Sequence, residues 1–217
     1  MKSFVKALWS RTKKDPESRQ LDNASDLLEG DLVNISDSYA LPAQIRGSSF
    51  KVIAVTTYQF EYEFETNFSL EGQDDYRLNL LVEKEDGRER AAFSLSINRD
   101  MVEQLFDLDQ FSEIFDEDVQ TDLELQQESE ELAGWTAPVY RQQSCAERGY
   151  YYQQDYRGES PPDEEGEGEP FDYYSLVSDD GDYAVEIEVW DEGETDVVLT
   201  IYRPITDIKE LWPGRKE

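Results

Sequence analysis

Carboxylates dominate the side chains that could do chemistry. The 217 residues hold 51 acids against 20 bases, one cysteine and no histidine. Without histidine there is no Ser-His-Asp or Cys-His catalysis, no HExxH site and little zinc chemistry. Cys145 cannot form an internal disulfide. Its neighbours Arg141 and Arg148 favour a thiolate, but no imidazole base accompanies it. Residues 116–128 come nearest to a calcium loop, yet Thr121 stands where the tight turn needs glycine and Gln127 where a bidentate carboxylate is required. Asp179, Asp180 and Asp182 around Gly181 read equally well as a β-turn. Paired carboxylates could serve a glycosidase, but so acidic a chain offers such pairs by chance. No catalytic residue, metal site or cofactor motif emerges, and the expectation is a protein that is not an enzyme.

One stretch carries a different chemistry. Residues 140–158, YRQQSCAERGYYYQQDYRG, pack five tyrosines, four glutamines and three arginines into nineteen positions. Tyrosine and arginine offer broad amphipathic contact surface at low entropic cost and are enriched in binding sites. Arg148, Tyr150, Tyr151, Tyr152, Asp155, Tyr156 and Arg157 are therefore the candidate partner- or ligand-binding residues. The alternative is a strand whose tyrosines merely cover a sheet edge.

Charge is unevenly spread. Residues 1–20 carry +4, from six bases and two acids, whereas the remaining residues carry −35. Residues 158–202 contain sixteen acids and no lysine or arginine. Such a surface is unsuited to neutralising phosphates, so direct nucleic-acid binding is not expected. In the basic arm, Phe4, Val5, Leu8 and Trp9 share one helical face, with Lys2 and Lys6 beside it. Chemically this is a small anchor for anionic membrane or a partner protein, or else a helix packed on its own acidic body. The opening residues interrupt each apolar run with a charge, so no secretory signal is expected. No run approaches the ~18 apolar residues of a membrane helix. The expected location is cytoplasmic, peripheral to the inner membrane if the arm docks there.

The elements that must position these groups read as β-strands. Residues 58–65 alternate strictly, with Tyr58, Phe60, Tyr62 and Phe64 on one face of an expected strand. Leu78, Leu80 and Val82 repeat the period before the turn Asp86-Gly87, and Ala91, Phe93, Leu95 and Ile97 follow. Tyr183, Val185, Ile187 and Val189 lead to Glu192-Gly193, then Val197, Leu199 and Ile201. With Asp180-Gly181 upstream, residues 171–203 form an expected three-stranded meander. A shift of 106 positions superposes Gly87, Phe93, Leu95 and Val102 on Gly193, Leu199, Ile201 and Ile208. Each half thus reads as hairpin plus short helix, the helices capped near Asp100 and Thr206.

The expected fold is mainly β, antiparallel meanders and hairpins in two similar halves with a few short helices. Its parts are a basic arm (1–20), a first β-rich half (21–106), an acidic helical connector (107–132) and a second β-rich half (133–217). An acidic loop (158–170), expected to be mobile because it has no apolar surface to bury, interrupts the last.

The stretch LLEGDLVNISDSYALPAQIRGSSFKVIAVTTYQFEYE, with the later ERGYYYQQDYR and the closing YRPITDIKELWPG, resembles an uncharacterised bacterial domain-of-unknown-function family, number 4178. The resemblance implies a bacterial cytoplasmic protein often encoded beside membrane-remodelling, flotillin-like or polyamine-related genes. It brings no catalytic residues.

Three functions fit these features. The first is a non-enzymatic accessory protein working through protein contacts, in a complex at or near the cytoplasmic membrane surface. The second is an acidic nucleic-acid mimic that occupies a groove on a DNA-binding protein. The third is a binder of a small organic cation such as a polyamine, held by carboxylates and tyrosine faces.

Overall fold

The computed structural model describes residues 19–85, 87–116, 118–161, 168–191 and 193–214. The arm at Lys2, Phe4, Val5, Lys6, Leu8 and Trp9, and the centre of the 158–170 loop, lie outside them. Eleven strands follow in chain order: β1 (Leu32–Ile35), β2 (Ser49–Gln59), β3 (Phe64–Glu71), β4 (Arg77–Glu85), β5 (Arg88–Ile97), β6 (Asp122–Glu124), β7 (Val139–Tyr152), β8 (Glu169–Ser178), β9 (Tyr183–Trp190), β10 (Thr195–Pro204) and β11 (Ile208–Trp212). Two short helices, α1 (Arg99–Leu105) and α2 (Leu108–Glu113), lie between β5 and β6. The fold is mainly β and antiparallel, in a single sheet.

The sheet closes on itself. Strands run in the order β2-β3-β4-β5-β10-β9-β8-β7, and β7 returns to pair with β2 through Thr57↔Tyr152, Tyr58↔Tyr151 and Gln59↔Tyr150. Eight strands thus form a barrel. Both halves of the chain contribute four consecutive strands to it, and each half runs as the same meander. In the β5–β10 seam Ser94 faces Thr200, 106 positions on, at 2.8 Å, and Phe93↔Ile201 and Leu95↔Leu199 flank the pair. The pairing is therefore symmetric about that point. At the opposite seam, β2 and β7 are long and bent by β-bulges. One end of each closes the barrel, while the other end accepts an extra strand, β1 on β2 and β6 on β7.

The alternating apolar residues behave as their period predicts. Leu80, Phe93, Val185, Ile187, Leu199 and Ile201 are buried on one face. That face is the outer wall of the barrel. It is covered by the connecting segments, which add Leu27, Ile45, Leu105, Phe111, Ile114, Leu132 and Trp135 to the same apolar cluster. The wraps meet each other, Gln44 donating to the Glu131 carbonyl at 2.5 Å. Buried Asp31 ties both ends of the described chain, accepting from the Leu28 and Gly214 amides and pairing with Arg19.

Three local expectations are corrected. Residues 58–65 are not one strand. β2 ends at Gln59, the Phe60 amide donates to the Glu63 carbonyl across a tight turn, and β3 starts at Phe64. Tyr58 and Glu65 become cross-strand partners on one face, and Tyr62 is left exposed. Alternation continues through a turn of that length, so the sequence shows no break. The helix expected from Thr206 is a single 3₁₀ turn followed by β11, which gains edge pairing with β1. The helix near Asp100 does form, capped by the Asn98 side chain on the Met101 amide. The 107–132 connector holds α2 but also β6. Among the described residues no helix is long and apolar enough to cross a membrane.

Candidate functional site

The inner face of the barrel carries the polar half of each alternating strand. Residues from all eight barrel strands line one cavity of about 840 Å³. Small polar side chains occupy part of it. Asn67 donates to Thr56 and Asn79, and Ser69 donates to Asn79. Glu186 accepts from Thr200 and, at 2.7 Å, from the Tyr173 phenol. Elsewhere the wall is aromatic. Phe60 packs on Phe171 and Tyr173 at 5.9 and 5.4 Å, and Trp190 on Phe171 and Tyr151 at 5.1 and 6.0 Å. Gly149 makes room for this cluster, since a Cβ there would meet the Phe171 ring at 2.3 Å.

Ten acids line the cavity, and no lysine or arginine is among its described lining residues. Glu65 on β3 and Glu186 on β9 stand on opposite walls, four strands apart in either direction around the ring, yet they repel each other across the lumen. Burial, followed by repulsion from Glu186, pushes the Glu65 carboxyl up to about 8. Glu188, held by the Tyr58 phenol, is pushed up to about 7 by burial and by Glu186. Glu186 itself is raised by burial. Burial likewise raises the phenols of Tyr58, Tyr173 and Tyr202, which stay neutral donors at physiological pH. At the rim Arg90 reaches Glu83 at 2.7 Å and lies over the Tyr202 ring at 4.4 Å, and Arg148, from outside the barrel, reaches Asp191 at 3.2 Å. Among the described residues no three acids or thiols are arranged to hold a metal ion together.

The candidates of residues 140–158 do not form one groove. β7 alternates, so Tyr151 lines the lumen while Tyr150 and Tyr152 face away. Tyr152 is buried, donating to Gln59 at 2.8 Å and packing on Tyr156. Arg148 is outside, paired with Asp172 and Asp191 at 3.0 and 3.2 Å and near the Tyr150 ring. Arg157 is an internal clasp. It pairs with Asp155 at 2.5 Å, donates to the carbonyls of Ser25 and Leu27 at 2.5 and 2.7 Å, and lies 5.3 Å from the Phe68 ring centre. The Arg157 guanidinium in turn holds the Asp155 carboxyl below its usual range. Arg157→Ala should therefore cost about 2 kcal/mol of stability, read as a lower urea midpoint. An unchanged midpoint would show the clasp to be idle.

Sequence reasoning missed Glu65, Glu83, Glu147, Glu186, Glu188, Trp190 and Tyr202. A signal was present. The positions alternating with the apolar set on β8–β10 carry Tyr173, Trp190 and Tyr202, rings too large for an ordinary solvated face.

Fold and site together define a class: a closed antiparallel barrel with an apolar outer wall wrapped by its own connections and an acidic, aromatic lumen. No protein-family model, curated protein or solved structure matches the chain.

Proposed function

We propose that the protein is a non-enzymatic binding module that takes a small organic cation, of polyamine type, into the barrel lumen. The observation that carries this reading is the cavity of about 840 Å³ lined by ten acids and several aromatic rings, with no basic side chain among its described lining. The volume is in the range of small-molecule sites, roughly 300–1,000 Å³. Carboxylates supply the counter-charge an ammonium needs on leaving water, and aromatic faces attract cations through their quadrupoles. A chain of methylenes between ammonium groups can lie on Phe60, Tyr151 and Trp190 while its ends reach carboxylates. Among the described residues no ligand set is clustered for a metal ion, which favours an organic cation over a bare metal ion. Carboxylates gathered round one cavity are also poorly placed to imitate a row of phosphates, so the geometry favours this reading over a nucleic-acid decoy.

Calorimetric titration with spermidine at physiological salt tests the proposal. A saturating one-site isotherm is expected, weakened at least tenfold by Trp190→Ala or Glu186→Gln in variants shown folded by circular dichroism. Heat that disappears on screening without saturating would reduce the effect to condensation on acidic loops and overturn the reading.

A further inference from the structure

We infer that the lumen exchanges protons for its cation: the carboxyl groups of Glu65, Glu186 and Glu188 share protons in the empty barrel and give them up when an ammonium enters. This rests on the cation-binding reading above and adds its coupling. Three features of the geometry carry it. The carboxyls come from opposite walls and converge on one cavity. No described lysine or arginine lines that cavity. The guanidinium of Arg90 is engaged with Glu83 and Tyr202 at the rim, and that of Arg148 with Asp172 and Asp191. Like charges brought together away from water without a counter-ion cannot all ionise.

The other acids around the cavity act in the same direction. Glu83 on β4 and Glu147 on β7 add negative potential at Glu65, as does Glu63 in the β2–β3 turn. Asp196 on β10 does so at Glu188. The Tyr58 and Tyr173 phenols, with the Thr200 hydroxyl, act the other way, donating to Glu188 and Glu186 and favouring their ionised forms, but burial outweighs them; these phenols and that of Tyr202 stay protonated. The empty site thus holds a proton mainly at Glu65 near neutral pH, consistent with a carboxyl pushed up to about 8. An ammonium in the same space favours the carboxylate, so the proton leaves to solvent. Affinity must then rise with pH, and the slope of log K against pH equals the number of protons released, at most roughly tenfold per unit for one proton.

The test uses the full chain and spermidine at pH 6.0 and 7.5, each in two buffers of different ionisation enthalpy. Expected is net proton release, a several-fold tighter complex at pH 7.5, and both effects diminished in Glu65→Gln. Any protonation change of the ligand itself cancels in that comparison. Saturable binding with equal heats in both buffers and no pH slope would overturn the exchange while leaving the cation site standing. Proton release undiminished in Glu65→Gln would overturn the assignment of the proton to this cluster. No saturable binding in any buffer would remove both readings together.

Discussion

Glu65→Gln is expected to make the protein more stable at pH 8, by about 2–4 kcal/mol, and to change stability by under about 1 kcal/mol at pH 5. In the folded chain the Glu65 carboxyl is pushed up to about 8, first by burial and then by Glu186. In the unfolded chain it titrates at its ordinary value near ~4.3. Well below that value both states carry the proton, and the group contributes nothing to pH dependence. As pH rises the unfolded chain ionises first, binding fewer protons than the folded one, so stability falls until the folded carboxyl also ionises near about 8. Glutamine keeps the shape and cannot ionise, so the loss disappears. A shift of this size would correspond to nearly 5 kcal/mol if Glu65 titrated alone, at about 1.4 kcal/mol per unit. Coupling to Glu186 and Glu188 divides the effect among the three acids, hence the smaller figure. Urea unfolding of both proteins at the two pH values measures it. Equal stabilisation at pH 5 and pH 8 would mean that Glu65 is not held neutral in the barrel.

The same substitution separates two uses of the lumen. An acidic interior maintained only for fold specificity would tolerate Glu65→Gln with a gain in stability and nothing lost. A cation site gains stability when empty and loses affinity when filled, the trade expected of strained functional positions. Stability and spermidine affinity measured on one preparation should therefore move in opposite directions.

How much of this was legible depended on which question periodicity answers. Alternation at Leu78, Leu80, Val82 and at Val185, Ile187, Val189 correctly assigns a buried face, and Gly87 and Gly181, both at positive φ, mark two of the turns. The meander of β8–β10 and the parallel places of Phe93 and Leu199 follow from the same pattern. Periodicity cannot say which face of a sheet is concave. A half-buried antiparallel sheet was expected to turn its polar face to solvent. Instead closure through Thr57, Tyr58 and Gln59 on Tyr150–Tyr152 wraps that face into a lumen. The closing contact joins residues more than ninety positions apart and lies at the ends of two bent strands, so nothing local announces it. The run at 150–152 was singled out for its tyrosines, yet only Tyr151 reaches the site, because a strand sends neighbours to opposite faces. Glu186 and Glu188 looked like any solvated acids, since their burial comes from β3, β2 and β7 across the barrel.

Phe93→Ala should lower stability by about 3–5 kcal/mol, whereas Leu81→Ala should cost only about 1 kcal/mol. In most small barrels the inward residues make the packed core. Here the polarity is reversed. Phe93 on β5 points outward, fully buried between Leu80 on β4 and Ile201 on β10 and beneath the wrapping segments. Removing its ring leaves a closed void in a well-packed apolar layer, which adds a cavity cost to the lost transfer energy. Leu81, one residue from Leu80 and facing the other way, already borders the large lumen and is only half-buried. Truncating it enlarges an existing space and creates no new sealed one. Urea unfolding of the two variants, with circular dichroism to confirm a native fold, decides between the two faces. A larger loss for Leu81→Ala would place the structural core inside the barrel and leave no room there for a ligand.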